Sequence, residues 1–138
     1  MPSKDIYHNC VKNALVKDGW TITHDPLNLK LGKKDMFVDL AAQKMLAAEK
    51  HGMKIAVEVK SFVGTSEIED LRNAVGQYVL YRATLQKLEP DRIIYLAIRQ
   101  KTFTDIFEEE VGQVIVEAEG IKLLVFDQNM EDIVQWIE

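Results

Sequence analysis

A chain of 138 residues with 47% hydrophobic and 28% charged side chains has the proportions of one globular domain, long enough to bury a core without staples. A formal net charge of −5 excludes a protein that coats nucleic acid by bulk charge, and a single cysteine, Cys10, excludes an internal disulfide and a multi-cysteine zinc site. No apolar segment of signal-peptide length opens the sequence and no run approaches the ~20 residues of a bilayer span, so a soluble, cytoplasmic protein is expected.

Ser3 can cap a first helix over residues 3–18, in which Ile6, Val11, Ala14 and Leu15 have helical spacing and Gly19 fits the position after the end. Residues 20–23 are β-branched and aromatic, and Asp25-Pro26 stops that strand. Residues 32–35 read as a turn into a second strand over 36–40. Residues 41–51 admit two readings: a helix by composition, or a strand continuing into a long hairpin connection that ends at Gly52.

The clearest strand is 54–62, with Ile55, Val57 and Val59 on one face and Lys54, Ala56, Glu58 and Lys60 on the other. Ser66 and Glu69 form a capping-box pattern for a helix running to about Leu88, with Ile68, Leu71, Val75, Tyr78 and Leu85 as its buried stripe. Pro90 ends it, and the apolar run 93–98 reads as a central strand. A helix over 102–118, a strand over 122–126 and a short terminal helix over 130–136 complete the order α-β-β-β-α-β-α-β-α. No repeat or linker divides the chain, so the expectation is a single α/β domain over residues 1–138, a mixed sheet flanked by helices.

Charge is unevenly spread. Residues 1–100 carry 15 basic and 12 acidic side chains, whereas 101–138 carry 2 and 10. That asymmetry fits a solvated acidic surface, or an acidic face that meets a partner beside a mildly basic functional part.

The residues that carry chemistry are Asp39, near the end of the second expected strand, and Glu58 and Lys60 in the third. Residues two apart on a strand share a face, so Glu58 and Lys60 project together. If the two strands pair antiparallel, Asp39 comes to lie beside Glu58. Adjacent carboxylates repel, and a divalent cation relieves the repulsion. Mg²⁺, with Mn²⁺ as the alternative, is the hard ion that binds through one or two carboxylates and water. Lys60 beside it would orient or deprotonate an attacking water, or stabilise charge on a phosphoryl oxygen, so the reaction such a site suits is metal-assisted phosphodiester hydrolysis. A Glu-x-Lys pair is also common on solvated strands, and the three residues draw their meaning from context.

That context, Asp39 nineteen residues before Glu58 with a helix and a buried strand after it, resembles the α-β-β-β-α-β core of the PD-(D/E)xK restriction-endonuclease-like proteins. The proline of that name is absent here, since Val38 precedes Asp39. Gln77 and Tyr81, one turn apart on the long helix, resemble the Gln-x-x-x-Tyr signature of the RecB-like branch, where it borders the active site. Tyr81 packing on the sheet is the plainer alternative.

A closer similarity runs through Lys-Asp-Ile-Tyr-His at 4–8, Lys-Asp-Gly-Trp-Thr-Ile-Thr-His-Asp-Pro-Leu at 17–27, Asp-Leu-Ala-Ala at 39–42, Ala-Glu-Lys at 48–50, Ile-Ala-Val-Glu-Val-Lys-Ser-Phe at 55–62 and Gly-Gln-Tyr at 76–78. These stretches resemble the XisH family, the fdxN-element excision controlling factors of cyanobacteria, a setting of heterocyst differentiation. The resemblance covers nearly the whole chain. It implies an endonuclease-like fold and, with the partner XisI, control of the excision of a DNA element by a separate site-specific recombinase. Some related nucleases add a carboxylate from the first helix. Here its inward positions hold Asn9 and Lys12, Asp5 lies a turn or more earlier, and Glu49 is a substitute if its segment folds back towards Asp39.

Other residues carry less. His8, His24 and His51 lack zinc spacing, Cys10 reads as a small buried hydrophobe, and no P-loop, dinucleotide or nucleophile-elbow motif occurs. Lys30, Lys33, Lys34, Lys44, Lys50, Lys54 and Lys60 form a lysine-enriched stretch that can steer a phosphate backbone or simply coat exposed hairpins. Three functions follow: a Mg²⁺-dependent DNA endonuclease or nickase using Asp39, Glu58 and Lys60 with Gln77 and Tyr81 beside them; a non-catalytic accessory protein that binds a XisI-type partner, recombinase or DNA; and a domain whose carboxylates only neutralise lysines.

Overall fold

Every side chain from Ile55 to Val59 is buried, and a strand buried on both faces has to lie inside a layered structure. In the computed structural model, which describes residues 4–46 and 52–138, that strand is the third of a six-stranded mixed sheet. The elements in chain order are α1 (His8–Lys17), β1 (Thr21–His24), β2 (Leu27–Leu31), β3 (Lys34–Val38), β4 (Leu40–Lys44), β5 (Met53–Val59), α2 (Glu67–Leu88), β6 (Arg92–Arg99), α3 (Gln100–Thr102), a π-helical turn (Phe103–Phe107), α4 (Glu110–Glu119), β7 (Leu123–Asp127) and β8 (Asp132–Ile137). The sheet runs β1-β4-β5-β6-β7-β8, with β5, β6 and β7 parallel and the outer strands antiparallel to their neighbours.

Alternation along the strands divides the core in two. Leu40, Ala42, Ile55, Val57 and Val59 pack with Val11 and Leu15 of α1, while Ala41, Ala56, Ile94, Leu96 and Ile98 pack with Leu71, Ala74, Tyr78 and Leu85 of α2. Helices therefore cover both faces, as an α/β fold requires. The Tyr78 hydroxyl accepts from Lys122 N at 3.0 Å and donates to Ile94 O at 3.1 Å, which fastens α2 to the parallel strands. Ser66 Oγ accepts from Glu69 N at 3.2 Å, the cap its sequence pattern requires.

Several expected elements change on folding. The strand expected at 36–40 is two strands broken at Asp39. β3 closes a separate hairpin with β2, and β4 joins the main sheet. β2 lies where no element was expected, and its alternation of buried Leu27 and Leu29 with exposed Asn28 and Lys30 is that of a half-covered strand. The strand reading of 41–44 is the observed one; Ser3, Glu49, Lys50 and His51 lie outside the described residues. Ile68, expected in the buried stripe of α2, is 47% exposed. The helix expected over 102–118 is interrupted where buried Ile106 and Phe107 turn into the core.

The terminal helix expected at 130–136 is instead strand β8. Asp127 Oδ1 accepts from Asn129 N and Met130 N, closing a tight turn, and the following β-branched and aromatic residues pair with β7.

Gly112 fixes how the 100–119 segment packs, since a Cβ there would lie 2.2 Å from Ile106 O and 2.5 Å from Phe107 Cα. Backbone cannot yield as a side-chain tip can. Gly112→Ala is expected to cost about 2–3 kcal/mol, read as a lower urea midpoint at unchanged slope.

Candidate functional site

The site forms where the hairpin excursion re-enters the sheet. β4 and β5 pair antiparallel with Leu40 opposite Val57, so the residue before β4, Asp39, falls beside Glu58. Both lie on the face covered by α2, by the parity that places Ala41 and Ala56 there. Each carboxylate is held by a backbone N–H from the other's segment: Asp39 N donates to Glu58 Oε1 at 3.2 Å, and Val59 N donates to Asp39 Oδ2 at 2.8 Å. Lys60 Nζ stands 3.7 Å from Glu58 Oε2, the remaining oxygen.

Glu58 is only 5% exposed. Burial, followed by the neighbouring Asp39 charge, pushes its carboxyl up to about 8, against the opposing pull of Lys60. Burial also raises Asp39, countered by the Val59 hydrogen bond and by the charges of His8 and Lys60. Each buried carboxyl thus disfavours the ionised form, and the charge on Asp39 makes ionisation of Glu58 harder still.

Tyr81 of α2 feels the same site. Burial and then the charges of Glu58 and Asp39 push its phenol up to about 12, so it stays a hydroxyl donor, while its ring packs against the α2-side core. Gln77, one turn earlier, has its Oε1 buried without a hydrogen-bond partner among the described residues. The structure thus brings Asp39, Glu58 and Lys60 into contact, sets Tyr81 within electrostatic reach, and leaves Gln77 an uncommitted acceptor on the same helix.

The first helix contributes differently from expectation. Asn9 is exposed and Lys12 points to Asp25, with Nζ 2.7 Å from Oδ2. It is Asp5, in the turn before α1, that reaches the end of β5. Its Oδ2 accepts from Ser61 N at 3.0 Å, and it lines a small opening of about 210 Å³ with Lys60. No local spacing announces a contact between residues 5 and 61.

His8, buried at 3% exposure, donates through Nε2 to Asp25 Oδ1 at 2.6 Å. Burial raises Asp25, but hydrogen bonds from Lys12 and His8 outweigh it and hold the carboxyl below its ordinary range. The spacing of His8 and Lys12, four apart on one helix, was the available signal for this cluster.

The lysine-enriched stretch does not form one patch. Lys30, Lys33 and Lys34 are exposed on the β2–β3 hairpin. Lys44 and Lys54 sit at the far end of β4 and β5, roughly 13–17 Å along the strands from the carboxylates at ~3.3 Å per residue. Lys44 is engaged there, donating to Asp18 O at 2.6 Å and lying over the Trp20 ring. Among the described residues no helix is long and apolar enough to cross a membrane.

A family model described as XisH protein matches residues 1–134. The fold recurs in an XisH family protein from Nostoc punctiforme PCC 73102, with a TM-score of 0.88 and 38% identity over 97% of this chain and 100% of that one. It recurs also in an fdxN element excision controlling factor protein from Anabaena variabilis, with a TM-score of 0.87 and 42% identity over 98% and 100% of the two chains. No curated protein matches the chain. Matched by the family model over 1–134 and by two relatives of the same length and architecture, the chain belongs to the XisH family.

Proposed function

We propose that this protein is a controlling factor for the excision of a DNA element of the fdxN type, acting as a Mg²⁺-dependent PD-(D/E)xK-type DNA endonuclease or nickase. A XisI-type protein is its partner, and a separate site-specific recombinase carries out the exchange. The observation that carries this reading is the buried Asp39–Glu58 pair with Lys60 3.7 Å from its outer oxygen.

The donor set fits a hard divalent cation. Burial raises both carboxyls and Asp39 adds its repulsion at Glu58, a cost that a bound cation would relieve, and each carboxyl spends one oxygen on a backbone N–H while keeping another free of such a bond. Asp39 and Glu58 would hold Mg²⁺, or Mn²⁺ in its place. When bound, the ion supplies an activated water and neutralises charge on the scissile phosphate. Lys60 holds a cation at the open side of the pair, where it can orient the nucleophile and face a phosphoryl oxygen. The Tyr81 phenol, raised to about 12, remains a hydroxyl donor through the neutral range.

A cleavage assay with Mg²⁺ and Mn²⁺ on linear, supercoiled and branched DNA, with and without a XisI-type partner, tests the reading. Lys60→Ala is expected to lower cleavage by about 10²–10³-fold while leaving the melting temperature within a few degrees. Absence of metal-dependent cleavage on every substrate would overturn it. A second reading, an accessory protein that binds partner or DNA without cutting, is favoured by the size of the donor set. Among the described residues no group of three or more His, Cys, Asp or Glu comes together to hold a metal. Partner binding that survives Glu58→Ala and Lys60→Ala, without cleavage, would establish it.

A further inference from the structure

We infer that the apolar groove between α2 and α4 is a docking site for a cationic amphipathic segment of another protein. The groove, of about 490 Å³, is lined by Ile68, Leu71, Val75 and Gly76 of α2 and by Val111 and Val114 of α4. Ile68, Val111 and Val114 are 47%, 46% and 66% exposed, so three branched apolar side chains stand together in water on neighbouring helices.

Gly76 adds an independent observation. It sits near the middle of a 22-residue helix, where glycine is the poorest former after proline. A Cβ there would meet nothing within 4 Å. The fold does not require glycine at 76, in contrast to Gly112, whose Cβ would strike backbone. Its effect is to leave bare helix backbone in the groove wall, open to close approach by an incoming chain.

Charge around the groove selects the occupant. Glu67 and Glu69 adjoin Ile68 in α2, Glu108 and Glu109 lead into α4, Glu110 adjoins Val111 and Glu117 lies one turn after Val114; all six are exposed, and residues 102–121 contain no lysine or arginine. Arg72, the one cation in the lining, is paired with Glu69 at 3.2 Å. An acidic rim repels a nucleic-acid backbone and an anionic lipid surface. A symmetric second copy would set the rim against itself. An apolar ridge flanked by lysine or arginine satisfies both the floor and the rim. The groove shares no lining residue with the Asp39–Glu58 site, so the inference does not depend on whether the protein cuts DNA.

The test uses the full chain and a fluorescent 18-residue leucine/lysine amphipathic helix, with a leucine/glutamate helix of the same pattern as control. The lysine peptide is expected to bind and the glutamate peptide not to. Gly76→Trp, which fills the groove, and the surface pair Glu109→Lys/Glu117→Lys should each weaken binding by about tenfold or more, and raised salt should do the same. Gly76→Ala should retain binding and raise the melting temperature by about 2–4 °C, showing that the position tolerates a side chain. Equal affinity in wild type, Gly76→Trp and the charge-reversal variant would overturn the proposal. So would a wild-type dimer in sedimentation that Gly76→Trp dissolves, because the occupant would then be a second copy.

Discussion

Glu58→Gln is expected to abolish metal-dependent DNA cleavage, by about a thousand-fold or more, while raising the melting temperature of the metal-free protein at pH 8. The two effects have one cause. Glu58 is 5% exposed and burial with the Asp39 charge raises its carboxyl to about 8, so raising the pH forces an additional negative charge into the site beside Asp39. The amide removes that charge yet keeps an oxygen able to accept from Asp39 N, which now contacts Glu58 Oε1 at 3.2 Å. A cation site, by contrast, needs the charge itself. Glu58→Ala should lose the same activity without the stability gain, since it leaves Asp39 N without its acceptor and opens a void. Cleavage rates and thermal melts of both variants check this. Cleavage retained in Glu58→Gln would remove Glu58 from the reaction.

Metal-free protein is further expected to lose stability from about pH 5 to pH 8 and to regain it on addition of Mg²⁺ or Mn²⁺. Glu58 has an ordinary value of 4.5 and a folded value of about 8. The folded state therefore binds this proton more tightly than the unfolded chain does. Its stabilising contribution is complete below the unfolded value and is lost as pH rises through the folded one. Asp39, also raised, acts in the same direction. The loss is on the order of a few kcal/mol, or roughly 10 °C in melting temperature for a chain of this length.

A bound divalent cation takes the proton's place, so the thermal shift caused by metal should be larger at pH 8 than at pH 5.5, with release of about one proton per ion at pH 5.5 and fewer at pH 8. Melting curves with chelator or metal at the two pH values, and calorimetry in two buffers, read both quantities. Asp25 sets the opposite limb. Its lowered carboxyl contributes stability above the unfolded value and loses it as pH falls through the folded one. A metal shift of equal size at both pH values would contradict binding at the Asp39–Glu58 pair.

Much of this site was legible before folding. The alternation of Ile55, Val57 and Val59 against Glu58 and Lys60 sets a strand period of two, and two residues apart on a strand must share a face. Helix α2 was similarly plain, because Ser66 and Glu69 begin it and Pro90 ends it within two residues of its last turn. The neighbourhood of Asp39 was not. The residues at 36–40, apolar apart from Asp39, read as one strand, but two different partners, β2 and β5, pair with the strands on either side of Asp39. Pairing energy from outside the segment decides where it breaks. The chain end shows the same effect, since Ile133, Val134, Trp136 and Ile137 admit helical spacing in isolation and become a strand beside the open edge of β7.

By itself the sequence determined the α/β class, the central strands and the residue types of the site, because these rest on local periodicity, capping and backbone preference. Only the tertiary structure decided that Asp5 reaches Ser61, that His8, Lys12 and Asp25 form one cluster, and that Ile68 faces solvent above a groove. Those contacts join residues 13 to 56 apart or depend on which face a neighbouring helix leaves uncovered. Such contacts arise from packing free energy summed over the whole molecule, and no window of sequence contains it.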